Sequence, residues 1–421
     1  MKIGLLLSLV IVSGLASAQV RQPIDRRSLL LQPNQLLTVR YDQPYTSVVI
    51  RLSSGQSLSG AYIVAADDTI RFTPEPHAAD GQPASTLCVF GKPITQLDIY
   101  TGTLAGEVTL QSLYVPPLPA GYVQAQMQAL TKGARANCEK PTVVPVSVWR
   151  RGLTPPKELP IQTKVQFVVV HHSAGSNTPK DYTEEVRNIY VFHTQSNGWN
   201  DVGYNFLIGR DGSIFEGRDG QGLIDGDNVL GAHFCGQNSG TMGICLMGNF
   251  NDVQPSDVSL AALDQLIGWK LKKEGLQPVG TSLHAGSGKV LNKISGHRDG
   301  SCSTECPGEN LYAKMPAIRQ DVANACSFGP LVLATEPTIF DWTVYPNPGR
   351  DTFTVHYRAV DAGRVSFDLV DGVGRQMSIR ARASGPDQWQ ITLDTVPSGL
   401  YWLRCRDGEQ TTVRKLWRGQ E

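Results

Sequence analysis

The sequence predicts a multidomain protein. A central α/β domain, with a mixed sheet flanked by helices, is expected between an N-terminal β-sandwich-like domain and a C-terminal immunoglobulin-like β-sandwich. Three observations predict this. The chain has 421 residues, enough for two or three domains. Both ends carry short β-branched runs separated by Gly, Ser, Pro and Asp, whereas the middle mixes such runs with apolar residues at helical spacing. Apolar residues make up 41% and charged residues 18%, the balance of a chain that buries proper cores. Lys+Arg and Asp+Glu are both 38, so no global field exists to hold nucleic acid or an anionic membrane.

The elements follow in order. Met1 and Lys2 form a basic start, residues 3–15 an apolar run, and Ala16-Ser17-Ala18 a small-residue cleavage pattern, so residues 1–18 read as a secretory signal peptide. No later run reaches the roughly 20 apolar residues of a membrane span, and the mature chain is expected to have no transmembrane segment. Residues 19–118 read as the N-terminal β-rich domain, with strands over 36–41, 48–52, 61–64 and 106–110. The closely spaced prolines at 116, 117 and 119 open an expected linker over 119–137. The central domain, 138–330, has strand-like runs at 165–170, 205–208, 212–215 and 242–246. Helical spacing covers 182–195, a second helix is capped by Ser256 or Asp257, and a last one runs over about 310–325. Several short strands between turn signals make 338–421 a small sandwich.

Eight cysteines in an exported chain suggest disulfides, but the pairing is open. The chemistry concentrates in His171-His172-Ser173 at the end of an apolar run and, far downstream, Gly296-His297-Arg298-Asp299 with Thr304-Glu305-Cys306-Pro307-Gly308. Two imidazoles and a thiolate suit zinc, with a fourth position left for water. On a strand His171 and His172 point to opposite faces, so one of them meets the metal, and spacing alone does not say which. Cys306 has a structural alternative as well, a disulfide with Cys302 or Cys326. The glycines at 220, 222 and 226 lack a dinucleotide loop's spacing, residues 225–228 fail the EF-hand pattern, and residues 286–289 lack the upstream glycine of a P-loop.

The residues around these histidines resemble the peptidoglycan recognition protein/type 2 amidase family. The resemblance is carried by Val168-Val169-Val170-His171-His172-Ser173-Ala174-Gly175, by residues 198–209 (GWNDVGYNFLIG), and by Glu216-Gly217-Arg218 and Gly231-Ala232-His233. Gly248-Asn249-Phe250 and the two downstream motifs complete it, and it covers about 138–330. It implies a zinc-dependent N-acetylmuramoyl-L-alanine amidase that cuts between the muramic acid lactyl group and L-alanine of the stem peptide. Motif by motif it implies His171, His297 and Cys306 as Zn²⁺ ligands, with Tyr204 and Thr304 assisting catalysis. Trp199, Arg218 and His233 are candidates for lining the substrate cleft. Family members that only bind commonly lack the cysteine. His297 and Cys306 stand nine residues apart, one more than the family's usual eight, and Cys302 inside that loop is a rival ligand or a disulfide partner.

A second resemblance lies at the C-terminus. Tyr345-Pro346-Asn347-Pro348, Pro397-Ser398-Gly399-Leu400-Tyr401 and Arg414-Lys415-Leu416 look like the type A sorting domain of type IX secretion. It implies export across the outer membrane by that machinery, removal of the sorting domain, and release or attachment at the cell surface. The expected partners are therefore peptidoglycan or muropeptides and the secretion apparatus. The rival readings are a peptidoglycan-binding module with little turnover and a surface adhesin whose β-domains carry the function.

Overall fold

The computed structural model describes residues 23–65, 68–75, 83–130, 138–179, 181–326, 328, 342–357, 365–371, 375–385, 387–393, 395–407 and 410–419. The expected signal peptide, 1–18, lies outside the described residues, as does the 131–137 part of the expected linker. The chain divides into two units, one through Gly329 and one from Pro330.

The first unit begins with strands β1 (Ile24–Leu31), β2 (Leu36–Arg51), β3 (Tyr62–Ala65), β4 (Asp68–Arg71), β5 (Cys88–Tyr100) and β6 (Gly106–Leu113). Among the described residues they form one hydrogen-bonded sheet, ordered β1-β6-β2-β5-β3-β4, where two facing sheets were expected. The reason lies in β2. The sequence reads as two strands, 36–41 and 48–52, but the chain runs straight through as sixteen residues. Its register with β5 shifts between Arg40 and Tyr45 and again before Ser47. Such irregularities bend a strand; β2 pairs β5 on both sides of them and β6 along its last part. The sequence reading passed over β5 because Gly91 and Pro93 interrupt it; they fall where the ladder is already broken, the place a strand tolerates proline. Within the expected linker stands helix α1 (Tyr122–Leu130), whose Tyr122, Val123 and Met127 pack on the core behind it.

The lead-in continues as α2 (Val146–Trp149), with Val144 bridged to the central sheet and Trp149 Nε1 donating to the Glu216 carbonyl at 2.7 Å. Then come β7 (Phe167–His172), α3 (Tyr182–Val191), β8 (Phe206–Ile208), β9 (Ile214–Glu216), β10 (Thr241–Leu246) and α4 (Asp257–Glu274). A hairpin of β11 (Thr281–His284) and β12 (Lys289–Asn292), then β13 (Ile294–Gly296), α5 (Glu309–Tyr312) and α6 (Met315–Ala325), complete the unit. The sheet order is β13-β7-β10-β8-β9, parallel except for β9. Both faces of β7 and β10 are buried, which is why they read as continuous apolar runs. Val168, Val170, Ile244 and Leu246 meet α4 and α6 on one face, while Leu207 and Cys245 meet α3 on the other. Ser256, not Asp257, caps α4, its hydroxyl accepting from Ser259 N at 3.2 Å. The last helix is broken in two: Pro316 has no N–H to give and its ring clashes with the turn before it, so α6 restarts with the proline in its first turn.

The N-terminal sheet encloses a core of its own, including Val48, Ile50, Ile63, Leu97 and Ile99, and one side of it joins the central domain. Val49, Leu87, Leu113 and Val115 pack in one cluster with Val186, Ile189, Phe192 and Tyr204. Polar contacts pin the same joint: Thr46 Oγ1 donates to Asn188 Oδ1 at 2.8 Å, and Arg51 Nη2 to Ser196 Oγ at 2.8 Å.

The second unit holds β14 (Thr343–Tyr345), β15 (Thr352–His356), β16 (Val365–Val370), β17 (Gln376–Met377), β18 (Arg380–Gly385), β19 (Gln388–Thr392), β20 (Gly399–Asp407) and β21 (Gln410–Arg418). Two four-stranded antiparallel sheets, β14-β15-β19-β18 and β17-β16-β20-β21, enclose Phe353, Val355, Leu369, Ile391 and Leu403. Asn347 ties the first turn to β21: its amide donates to the Lys415 carbonyl at 2.7 Å and its oxygen accepts from Trp417 N at 2.9 Å.

Candidate metal centre

The site grows from the C-terminal end of β7. Side chains alternate across a strand, so His172 follows Val168 and Val170 toward the α4 side, where its Nδ1 accepts from Phe250 N at 3.3 Å. His171 follows Val169 to the other side, level with its neighbour Cys245 on β10. There its ring centre lies 4.6 Å from that of His297 and 5.3 Å from that of Tyr204. Cys306 Sγ is 3.6 Å from His171 Nδ1. Donor atoms of His171, His297 and Cys306 all lie within 4.8 Å of one another, and all three residues are buried.

Local structure holds each donor in place. His171 Nε2 meets His233 Nδ1 at 3.0 Å, and His233 Nε2 meets Thr241 Oγ1 at 3.3 Å, a chain that fixes the ring's orientation. His297 opens a short turn after β13, and the Asp299 carboxylate secures that turn by accepting from Gly296 N at 2.9 Å and Tyr312 O–H at 2.6 Å. Arg298 staples the following loop: its N donates to the Cys306 carbonyl at 2.9 Å, while its guanidinium reaches the Glu305 carbonyl and Glu309 Oε2. Thr304 Oγ1 accepts from Cys306 N at 3.1 Å, and Cys306 Sγ itself accepts from His172 N at 3.4 Å. Gly308, at φ 88°, has no room for a side chain; a Cβ there would stand 2.6 Å from the Phe250 carbonyl carbon.

The rival ligand is accounted for. Cys302 forms a disulfide with Cys235, and both sulfurs lie against His297 Nε2, at 3.2 and 3.1 Å. Cys326 pairs with Cys138, tying the two ends of the domain together. Cys306 is thereby left as a free thiol beside the two imidazoles. Burial pushes this thiol far above its ordinary range, so a thiolate here needs an adjacent cation. Two nitrogen donors and one sulfur suit a borderline-soft divalent ion and leave a coordination position open.

The other expected residues are distributed unevenly. Tyr204 is beside His171 but 4% exposed, and burial pushes its phenol well up; its hydroxyl is hydrogen-bonded with the Cys245 thiol. His233 is 1% exposed and stands behind His171, a positioning partner instead of a cleft-lining residue. Trp199 lies over the His193 ring, with centroids 4.6 Å apart. Arg218 donates its backbone N to the Tyr204 carbonyl at 2.9 Å, and its side chain lines a small cavity with Asp201 and Asp219. Sequence reasoning missed His193, whose Nδ1 accepts from Gly203 N at 3.1 Å, as well as Cys235, bonded to Cys302, and the free thiol of Cys245. Only their number among eight cysteines signalled the latter two.

Comparison with known proteins bears on this geometry. Residues 161–309 match the family described as N-acetylmuramoyl-L-alanine amidase, and residues 343–417 match the secretion system C-terminal sorting domain. The chain is 34% identical over 173 residues to peptidoglycan-recognition protein SC2 of Drosophila simulans, covering 41% of this chain and 83% of that one. The chain belongs to the peptidoglycan recognition protein family. Peptidoglycan recognition protein 1 of Bos taurus is 36% identical over 155 residues, covering 36% of this chain and 71% of that relative. Among solved structures, Drosophila PGRP-LB is 32% identical over 41% of this chain and 91% of its own, with a TM-score of 0.33. The sorting domain marks this family member for export, as a secreted or cell-surface protein. No helix among the described residues is long and apolar enough to cross a membrane.

Proposed function

We propose that the protein is a zinc-dependent N-acetylmuramoyl-L-alanine amidase acting on peptidoglycan or muropeptides, delivered by the type IX secretion machinery and freed of its signal peptide and sorting domain. The observation that carries this is the convergence of buried His171, His297 and Cys306 while Cys302, the nearest competitor, is withdrawn into a disulfide. The extra residue between His297 and Cys306 falls in the loop that carries that disulfide, so it does not displace Cys306. The match to an amidase family and the relatives named for peptidoglycan recognition support the substrate class.

His171, His297 and Cys306 would hold the zinc. When bound, zinc lowers the pKa of a coordinated water towards about 7 and polarises the scissile carbonyl. The protein's own groups do the rest. His233 keeps the His171 ring turned so that Nδ1 faces Cys306. Tyr204 O–H donates to the oxygen on which negative charge develops, a role that supplies roughly 2.7–4 kcal/mol where a single donor of this kind has been removed. Its buried, high-pKa phenol stays protonated and able to donate. Thr304 holds the Cys306 backbone N, which places its hydroxyl to orient the reacting water or carbonyl oxygen beside the donors.

The test is digestion of peptidoglycan by the full exported chain with zinc or with a chelator, followed by mass spectrometry of soluble products. Zinc-dependent release of stem peptides with a free L-alanine amine is the expected result. His171→Ala and Cys306→Ala should lose both zinc content, read by elemental analysis, and cleavage. Tight binding without any release would replace the amidase with a recognition module.

A further inference from the structure

Between the N-terminal sheet and helix α3 lies a cleft of about 290 Å³, separate from the metal donors. Its described lining carries four carboxylates, Asp68, Asp181, Glu184 and Glu185, against one ammonium, Lys92. Two of the four are already engaged. Asp181 Oδ1 caps α3 by accepting from Thr183 N and Glu184 N, and Glu184 accepts from Leu118 N at 3.3 Å with Arg187 Nε at 3.6 Å. Asp68 Oδ2 accepts from Gly91 N at 3.4 Å. Glu185 differs. It is 3% exposed, its Oε2 is sealed from solvent and meets no hydrogen-bond donor. Burial alone pushes its pKa up to about 8, with no cation to offset it. From other elements the thiols of Cys88 and Cys245 interact with it, both buried and both raised, so neither supplies a positive charge; Asp68 and Lys92 face the same cleft.

A buried carboxyl without a partner is costly in the free protein and becomes favourable when a donor or cation reaches it. We propose that this cleft binds a primary alkylammonium group, with Glu185 as its counter-ion. The walls decide between an organic and an inorganic cation. Ile70, Val89, Val115, Pro117 and Pro179 line the same space, a surface for an alkyl chain. Hard metal ions want six or more converging oxygens, yet the donor groups close enough for a metal among the described residues centre on His297 and include none of these carboxylates. The hydroxyls of Ser176 and Thr178, also in the lining, can accept the remaining N–H bonds. An ammonium beside Glu185 favours the ionised carboxylate, so the carboxyl proton leaves to solvent as the cation binds.

The test is calorimetric titration of the full exported chain at pH 7 in two buffers of different ionisation enthalpy. The probes are 1,5-diaminopentane and the tripeptide Gly-Lys-Gly, with 1-pentanol and calcium chloride as controls. Saturable amine binding with release of roughly one proton is expected, and no binding of pentanol or calcium. Glu185→Gln should weaken it at least tenfold and abolish the proton release, whereas Asp68→Asn, across the cleft, should weaken it less and keep the release. Diamine and tripeptide binding alike would identify the ammonium alone as the ligand; tripeptide binding alone would assign it to a peptide side chain. Calcium binding, amine binding unchanged in Glu185→Gln, or no binding of either amine would overturn the proposal. His171→Ala should bind the amines like the wild type, so the outcome is readable whether or not the amidase reading holds.

Discussion

The two β-rich regions of this protein share a pattern of strands and turns and differ in how they are stabilised. The N-terminal sheet buries Val49, Leu87, Leu113 and Val115 against Val186, Ile189 and Phe192 of the central domain. The C-terminal sandwich closes two sheets over a core of its own residues, among them Phe353, Leu369 and Leu403. The sequence does not separate these cases, since both read along the chain as short β-branched runs between turns. The N-terminal sheet also has a core of its own, with Val48, Ile50, Ile63, Ile99 and Leu110, so the difference is that one of its sides is completed by a neighbour whereas the sandwich carries both layers itself.

Truncation gives the largest effect. Deleting residues 19–118 should abolish cooperative unfolding of the central domain, because its shared core would face water. Deleting 338–421 should leave that transition where it was. Calorimetry of both deletions reads this directly, and an unchanged transition after the first would dissolve the distinction. A single substitution in the joint comes next: Leu113→Ala should cost about 2–5 kcal/mol in the transition of the first unit and nothing in that of the sandwich.

Acidity gives a third test, at the joint itself. Glu185 is pushed up from 4.5 to about 8 in the folded protein. Below pH 4.5 both folded and unfolded chains hold its proton and it has no effect. As pH rises towards 8 the unfolded chain releases the proton and the folded one keeps it, so stability falls across that window. Glu185→Gln should therefore flatten the loss of stability between pH 5 and pH 8, by an amount on the order of a few kcal/mol; parallel pH–stability curves for the two proteins would refute it. The smallest effect belongs to the sandwich. Asn347→Ala removes two hydrogen bonds to β21 and should lower only the sandwich's stability, by roughly 1–2 kcal/mol in denaturant titrations.

Much was legible along the chain because it depends on neighbours a few residues apart. The apolar run ending in His171-His172 and a cap at Ser256 or Asp257 are local features, and local sterics and hydrogen bonding impose them; the break at Pro316 is local as well, but helical spacing read 310–325 as one helix and passed over it. The nearness of His297 and Cys306 to those histidines was legible only through motif resemblance, since well over a hundred residues separate His171 from either. Elsewhere the one-dimensional reading stopped. Alternation says that His171 and His172 diverge, but which of them faces His297 depends on where Tyr204, His233 and His297 are brought by other elements. Cysteine spacing left Cys302 and Cys306 interchangeable until Cys235, sixty-seven residues from Cys302, arrived beside one of them. Glu185 looks on the sequence like an ordinary charged helix position; only tertiary packing leaves it 3% exposed. Backbone preference and side-chain period are properties of short segments, so the sequence by itself determined the elements and the kinds of donor present. Burial, pairing and charge environment depend on contacts between distant segments, and only the tertiary structure decided those.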